Sequence, residues 1–145
     1  MIKLIIVAHG NFPSGILSAL ELIAGKQEEV LAIDFVAGMS TEELKLLIQK
    51  DLSAANKVLI LTDLLGGSPF NVSSALSMDY LDKSIRVLSG LNLAMLMEAV
   101  LSRSTVADLD QLADKALAAA HNGILDFESC LADTDCHNND FEGGI

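Results

Sequence analysis

The residues best suited to chemistry are a histidine and an aspartate that each follow a hydrophobic segment. His9 follows the run 2–8 and Asp63 follows the run 58–62. An imidazole can act as a base, a nucleophile or a metal ligand at neutral pH, and a neighbouring carboxylate fixes its tautomer. We therefore expect His9 to be the reactive group and Asp63 to orient it. Taken singly, a histidine that hydrogen-bonds a loop carbonyl and an aspartate that stabilises a turn are both common.

A second candidate element follows directly after Asp63. The sequence Gly66-Gly67-Ser68-Pro69 places two glycines and a serine before a predicted helix. Glycines let the backbone approach a ligand closely, and the free N–H groups of a helix N-terminus bind phosphoryl groups. We expect Ser68 to cap this helix and Gly66, Gly67 and Ser68 to contact phosphate. The alternative is an ordinary tight connection with a capping serine.

Basic residues are absent from the loops that contain these candidates. Tight binding of a free nucleotide normally recruits a lysine or a metal ion, so this absence favours a phosphoryl group carried covalently on His9. No G-x-x-x-x-G-K-[ST] or G-x-G-x-x-G motif is present, and the spacing of Cys130, Cys136 and His137 matches no standard zinc pattern. We expect neither a metal ion nor a cofactor.

Composition narrows the class of protein further. The chain has 145 residues, a net charge of −11 and 51% hydrophobic residues, which indicates one folded domain with its own core. The negative charge argues against nucleic acid as a partner. No apolar run approaches the length of a membrane span, and the N-terminal run is too short for a secretory signal. Together with a count of two cysteines, these features predict a cytoplasmic location.

The elements that must position the candidates alternate between strand and helix. Short apolar segments rich in β-branched residues predict strands, and apolar residues at helical spacing predict helices. We predict strands at 2–8, 30–36, 58–62 and 85–88, and helices at 14–24, 41–52, 69–78, 91–101 and 106–117. A capping box begins the second helix, with Ser40 as N-cap and Glu43 at the third helical position. A last short strand is expected at 123–127.

This order predicts an α/β fold with three layers, in which a mostly parallel sheet of about four strands lies between helices and ends in a short antiparallel strand. The predicted domain spans residues 1–128, and residues 129–145 form an acidic, polar tail. Ligands of such sheets bind at the carboxyl ends of the strands, where His9, Asp63 and the glycine-rich segment all fall.

The chain resembles the enzyme IIA (EIIA) component of the mannose family of the bacterial sugar phosphotransferase system (PTS). The resemblance covers residues 1 to about 127 and closely follows four segments. They are Ile5-Ile6-Val7-Ala8-His9-Gly10, Ile33-Asp34-Phe35, Leu61-Thr62-Asp63-Leu64-Leu65-Gly66-Gly67-Ser68-Pro69-Phe70-Asn71 and Ser89-Gly90-Leu91-Asn92-Leu93-Ala94-Met95-Leu96. Within the family, the sequence is most similar to members of the N-acetylgalactosamine or galactosamine subgroup.

The resemblance implies a phosphoryl relay. The phosphocarrier protein HPr would phosphorylate His9 on Nε2, and His9 would pass the group to a cognate EIIB component, which acts with the membrane components EIIC and EIID. Asp63 would accept the Nδ1 proton, and Ser68 with nearby backbone would contact the phosphoryl oxygens. The family also implies a homodimer, in which some members exchange the last strand. Leu65 stands where the family often has an aromatic residue, which changes the surface offered to partners.

Other functions fit some of the same residues. The phosphocarrier subunit of a PTS-dependent dihydroxyacetone kinase also uses a histidine at the end of its first strand. A small hydrolase could use His9 as base and Asp63 as its orienting group. A ligand-binding or regulatory module of flavodoxin-like shape would use neither residue for catalysis.

Overall fold

The structure, a computed structural model, describes residues 1–132. It contains a parallel four-stranded sheet, as expected from the alternating pattern, and the strand order is β2-β1-β3-β4. The strands are β1 (Lys3–His9), β2 (Val30–Phe35), β3 (Lys57–Thr62) and β4 (Ser84–Leu88). Because the two central strands are β1 and β3, the residues that end them lie side by side in the middle of one sheet edge.

Helices cover both faces of the sheet, which confirms the three-layer architecture. They are α1 (Phe12–Ala24), α2 (Thr41–Leu52), α3 (Ser68–Asp79), α4 (Leu93–Ser102), α5 (Leu109–Asn122) and α6 (Phe127–Ala132). One core cluster joins α1, α4 and α5 to the sheet, and a second joins α2 and α3 to the other face. The sheet is therefore buried on both sides, as parallel sheets usually are.

The central strands are apolar along almost their whole length. Residues 4–8 of β1 and 58–61 of β3 are fully inaccessible to solvent, whereas the edge strands β2 and β4 are only partly buried. Burial of both faces explains why these segments read as continuous hydrophobic runs rather than alternating ones. The residues that end β1 and β3 are therefore positioned by the two most deeply buried strands of the sheet.

Local signals in the sequence explain where several helices begin and end. Ser40 accepts a hydrogen bond from the Glu43 N–H at 3.1 Å, and Glu43 accepts one from the Ser40 N–H at 2.7 Å, which confirms the capping box. Gly25, with φ +72°, ends α1. Pro69 lies in the first turn of α3, where its missing N–H costs nothing.

The expected antiparallel last strand is absent from the described residues, and this prediction was wrong for the single chain. Residues 124–126 have no regular structure, and Phe127 begins α6. No strand that the structure describes pairs with this segment, and the side chains of Ile124, Leu125 and Phe127 are exposed to solvent. The predicted domain boundary at 128 falls within α6, and residues 133–145 of the expected tail lie outside the described residues.

In the part of the chain that the structure describes, no helix is long and apolar enough to cross a membrane.

Candidate functional site

The sheet register brings the two predicted reactive residues together. β1 and β3 are parallel neighbours in which Val7 lies opposite Thr62, so the residues that follow these two positions converge at the carboxyl edge. His9 is the last residue of β1, and Asp63 is the first residue after β3. The expectation that the aspartate lies beside the imidazole is met by their geometry.

Asp63 binds both the ring and the main chain of His9. Its Oδ2 atom lies 2.8 Å from the His9 Nδ1 atom and accepts a hydrogen bond from the His9 N–H at 3.0 Å. One carboxylate oxygen thus binds both the end of β1 and the imidazole that projects from it. The His9 side chain is 46% exposed and that of Asp63 is 19% exposed, so the carboxylate lies beneath a ring that remains open to solvent.

The pKa of Asp63 lies below its ordinary value. Burial removes water from the carboxylate and by itself raises the pKa, but the hydrogen bonds from the main chain and ring of His9 and from the Leu64 main chain outweigh this effect. Asp63 is therefore an ionised acceptor at neutral pH.

The ionised carboxylate selects the tautomer of a neutral His9 ring. An oxygen that can only accept requires the proton to be on Nδ1, which leaves the lone pair of Nε2 free. Nε2 forms no hydrogen bond with any residue that the structure describes. In the neutral form of the ring, the nucleophilic nitrogen thus faces away from its orienting group.

The loop after Asp63 approaches the ring so closely that a side chain has no room. A Cβ atom placed on Gly67 would lie 2.8 Å from the His9 Cε1 atom and 3.2 Å from the Leu64 carbonyl oxygen. The Gly67 φ angle is −70°, so the glycine is required by space and not by backbone conformation. Gly66, by contrast, has φ +80° and open space around it, and its carbonyl oxygen accepts a hydrogen bond from Asn71 Nδ2 at 2.9 Å.

The predicted cap of α3 was assigned to the wrong residue. Gly67 is the N-cap, Ser68 is the first helical residue, and no side chain caps this end. Since Gly67 already occupies the extended N-cap conformation, the Ser68 hydroxyl cannot serve as the cap. Among the described residues, the N–H groups of Ser68 and Phe70 and the Ser68 hydroxyl have no hydrogen-bond partner, so all three donors remain available beside His9.

Three further residues near the site were not singled out from the sequence. The Phe35 ring meets the His9 ring edge-on, with centroids 5.9 Å apart and an interplanar angle of 64°. Asn71 holds the glycine loop, and Lys45 of α2 shares a groove of about 370 Å³ with Ser68 and Asn71. Lys45 lies on a helix rather than in a strand-end loop, which is why a search of the loops missed this cation.

The start of α1 is tied to the end of β2 on the other side of His9. The Asp34 carboxylate accepts hydrogen bonds from the Ser14 N–H at 2.9 Å and the Ser14 hydroxyl at 2.8 Å. Gly10, with φ +59°, makes the turn between β1 and α1 and donates its N–H to the Phe35 carbonyl at 2.8 Å. The main chain on both sides of His9 is therefore fixed by neighbouring strands.

Other candidate positions lie away from this edge or outside the described residues. A surface cavity of about 900 Å³ lies at the opposite, amino-terminal edge of the sheet, where Lys57 and Arg103 donate to main-chain carbonyls. Cys130 is buried on α6, whereas Cys136 and His137 lie outside the described residues. Neither His9 nor Asp63 lines this cavity, so the size of a cavity does not identify the candidate reactive site.

Comparison with known proteins identifies the same family over most of the chain. The family model described as "PTS system fructose IIA component" matches residues 3–117. The chain is 33% identical to the mannose-specific EIIAB component of Escherichia coli K12 over 129 residues, which are 85% of this chain and 38% of that protein. It is 30% identical to the fructose-specific EIIA component of Bacillus subtilis, over 77% of each chain.

A solved structure supports the same relationship. The EIIA component from Streptococcus agalactiae is 61% identical and superimposes with a TM-score of 0.88, over 90% of this chain and all of that one. The chain spans well under half the length of the two-part E. coli relative. The matched region includes β1, β3 and the start of α3, so it contains every candidate site residue.

Proposed function

The chain belongs to the mannose/fructose-type EIIA family of the phosphotransferase system, and on that premise we propose that it carries a phosphoryl group on His9. The group comes from phosphorylated HPr and goes to a cognate EIIB component. The observation that carries this proposal is the 2.8 Å contact between His9 Nδ1 and Asp63, because it leaves Nε2 as a free nucleophile at an exposed edge.

Each transfer exchanges one nitrogen–phosphorus bond for another. The Nε2 lone pair of His9 attacks the phosphorus atom, the bond to the donor nitrogen breaks, and its electron pair returns to the donor. Positive charge develops on the His9 ring, and the Asp63 carboxylate stabilises it through the Nδ1 proton. The reverse sequence of bond changes delivers the group to EIIB.

Gly66, Gly67 and Ser68 serve the phosphoryl oxygens in this proposal. The unpaired N–H groups at the start of α3 provide donors and the positive end of a helix dipole. A Cβ added to Gly67 would lie 2.8 Å from His9 Cε1, so this helix start lies close to the reactive nitrogen, since Cε1 is bonded to Nε2. The Ser68 hydroxyl adds a donor that is free in the described residues.

The partners follow from the role of a phosphocarrier. HPr is the donor and EIIB the acceptor, and the membrane components EIIC and EIID are reached only through EIIB. The relatives compared above are named for mannose and fructose, and the carrier step itself involves protein groups rather than sugar. The N-acetylgalactosamine or galactosamine subgroup stays a prediction from the sequence.

A labelling experiment tests the assignment of His9. The protein is incubated with HPr, enzyme I and labelled phosphoenolpyruvate, and the His9→Ala variant is compared with the His121→Ala variant. His121 is exposed at the end of α5 and has no role in the proposed site. We expect wild type and His121→Ala to acquire acid-labile label and His9→Ala to acquire none. The free energy of unfolding of each variant should stay within about 0.5 kcal/mol of wild type, as for other surface substitutions. Label on the His9→Ala protein would contradict the proposal.

The acceptor separates the remaining alternatives. Transfer from the labelled protein to a sugar-specific EIIB supports the proposed role. Transfer to a dihydroxyacetone kinase and to no EIIB would assign the chain to the other phosphocarrier type. Absence of label would leave the hydrolase and the non-catalytic module.

A further inference from the structure

The imidazole of His9 is bounded by three different contacts. Asp63 Oδ2 binds Nδ1. The Gly67 backbone lies so close to Cε1 that a side chain there would have no room. The Phe35 ring meets the imidazole edge-on at 5.9 Å between centroids. The proposed reaction uses the first contact, and the glycine sets the distance to α3. The aromatic contact has no role yet in that account.

A single hydrogen bond leaves the ring orientation loosely defined. Hydrogen bonds stay favourable while the donor angle remains above about 150°, so the imidazole can tilt by tens of degrees without losing Asp63. Such a tilt moves Nε2, which is on the far side of the ring from Asp63. A reacting group has to be held within about 10–20° of its productive geometry, and this requires a second contact on the ring.

We propose that Phe35 is a positioning residue that fixes the plane of the His9 imidazole, so that Nε2 points to the place where the donor phosphorus arrives. The contact has the geometry that aromatic pairs prefer, with an interplanar angle of 64°. This inference rests on the proposed function for its kinetic consequence, but its structural content concerns the ring alone.

Phe35 is itself held in place from two directions. Its side chain is half-buried and packs against the core cluster beneath α2 and α3. Its Cα atom is the register partner of the His9 Cα atom across β1 and β2, and its carbonyl oxygen accepts the Gly10 N–H. A ring anchored in the core and in the sheet can restrict an exposed imidazole, whereas a freely rotating surface side chain could not.

The test compares two substitutions of Phe35 with one control. Phe35→Leu keeps a similar apolar volume but removes the aromatic ring, and Phe35→Tyr keeps the ring. Phe12→Leu makes the same chemical change at a 40% exposed phenylalanine that begins α1 and has no ring contact with His9. Thermal melts establish that each variant is folded before its kinetics are measured.

The kinetic readout separates ring positioning from docking of the donor. Single-turnover labelling is measured over a range of phosphorylated HPr concentrations. For Phe35→Leu we expect the rate at saturating donor to fall about three- to ten-fold, the range that an aromatic pair supports, with the half-saturating concentration unchanged. Phe35→Tyr should restore the rate to within about two-fold of wild type, and Phe12→Leu should keep the wild-type rate at saturation.

A spectroscopic readout tests the inference without any phosphoryl transfer. Three-bond couplings of His9, together with NOEs from its ring Hδ2 proton to its own α and β protons, report by NMR whether the side chain and the plane of its ring each occupy one rotamer. We expect one rotamer in the wild type and in Phe35→Tyr, and averaged couplings in Phe35→Leu. If the wild type accepts no phosphoryl group, the proposed function fails and these couplings alone decide the role of Phe35.

Three results would overturn the inference. One is a Phe35→Leu protein whose His9 keeps a single rotamer. Another is a change in the half-saturating donor concentration with no change in the saturating rate, which would make Phe35 a docking contact. The third is a Phe35→Tyr protein as slow as Phe35→Leu, which would show that the aromatic ring is not what matters.

Discussion

The chemistry of His9 depends on which of its ring nitrogens is hydrogen-bonded. The Asp63 Oδ2 atom accepts from both Nδ1 and the His9 main chain, so the tautomer of the ring and the end of the strand that carries it are set together. The lowered pKa of Asp63 keeps this acceptor ionised across the neutral range, despite the cost of burying a carboxylate. A change at either partner should therefore affect transfer before it affects the fold.

The Asp63→Asn substitution tests the role of the charge. The amide can donate to Nδ1 and favour the tautomer with its proton on Nε2, which removes the nucleophile. We expect transfer from phosphorylated HPr to slow by about 10²-fold, within the range of positioned acid–base partners, while the protein stays folded. A wild-type single-turnover rate in a folded Asp63→Asn protein would show that Asp63 merely stabilises the turn.

The same aspartate predicts a dependence of stability on pH. Because its pKa is lower in the folded state, Asp63 contributes stability that is present above its unfolded pKa and is lost as the pH falls through the folded value. Denaturant unfolding of wild type and Asp63→Asn should therefore differ at neutral pH and converge in acid, below about pH 4. A difference that stays constant into acid would contradict this account.

The two adjacent glycines give opposite predictions for the same substitution. A Cβ at Gly67 meets the His9 ring, so Gly67→Ala should displace the imidazole and slow transfer by about ten-fold or more, as small misplacements of reacting groups do. Gly66→Ala has open space but φ +80°, so it should cost roughly 1–2 kcal/mol of stability, and because it keeps the main-chain groups that serve the phosphoryl oxygens, it should slow the folded fraction less than Gly67→Ala does. Rates and melts of both variants check this. Equal rates for the two would show that the close approach to His9 is unimportant.

The sequence was sufficient to predict that His9 and Asp63 lie side by side, because both follow continuous apolar strands. An aromatic residue at the end of a strand is typical of the core, so the sequence alone did not indicate that Phe35 contacts the His9 ring. The capping role expected of Ser68 was wrong because the preceding Gly67 already had the N-cap conformation. Contacts between side chains of different strands are the part of the site that spacing along the chain does not encode.

At the scale of elements, the turn before β2 combines backbone strain with a buried cation. Glu29 has φ +55°. Among the described residues it is the only one, apart from glycines, whose φ is positive. Arg103, at the end of α4, is buried and donates to the carbonyls of Glu28 and Glu29 at 2.6 and 3.3 Å. Loss of hydration lowers the pKa of Arg103, and the nearby carboxylates of Glu29 and Glu28 oppose this effect.

Replacement of Glu29 by glycine should relieve the strain without removing the carbonyl that Arg103 binds. A left-handed conformation costs an ordinary residue about 1–2 kcal/mol, and glycine loses about 0.5–1 kcal/mol through its greater freedom in the unfolded chain. We expect Glu29→Gly to raise the free energy of unfolding by up to about 1 kcal/mol. The control, Glu28→Gly, also removes a carboxylate near Arg103 but lacks a positive φ, so it should be destabilising. Equal effects in denaturant unfolding would rule out backbone strain as the cause.

Regular elements were predictable to within a few residues, since strands β1 to β4 and helices α1 to α5 all coincide with the expected segments. The failure was at 123–127, where Ile124, Leu125 and Phe127 suggested a strand. Apolar residues at this spacing indicate that the segment buries its side chains against another surface. They do not indicate which surface that is or which backbone conformation the segment adopts. In the single chain the segment ends in α6 and its apolar side chains remain exposed.

At the scale of the whole molecule, charge is distributed unevenly between the two edges of the sheet. Four of the nine lysines and arginines lie at the amino-terminal edge and bind main-chain carbonyls there: Lys3, Lys57, Lys83 and Arg103. The strand-end loops around His9 contain none. In the proposed function, a phosphoryl group at the carboxyl edge would therefore meet main-chain and hydroxyl donors. Four of the nine basic side chains instead bind main-chain carbonyls at the opposite edge.

The exposed apolar residues after α5 suggest that this protein forms a homodimer. Ile124, Leu125, Phe127 and Leu131 are 72%, 63%, 63% and 53% exposed, and they follow one another within eight residues. So many large apolar side chains on one short segment are unusual on a monomer's surface. A second copy of the chain can cover them, and the family resemblance supports a contact in this region. We expect sedimentation at micromolar concentration to give about twice the 15.4 kDa chain mass.

Two truncations locate the contact. Removing residues from Ile124 onward deletes the apolar segment but keeps Gly123, which packs against Ala94 and ends α5. Removing residues from 133 onward keeps the segment and is the matched control. We expect the first protein to sediment as a monomer and the second as a dimer, because burial of the four apolar side chains provides the driving force. A monomeric full chain, or a dimer that survives loss of residues 124–132, would contradict the prediction, and the second result would place the contact on another face of the molecule.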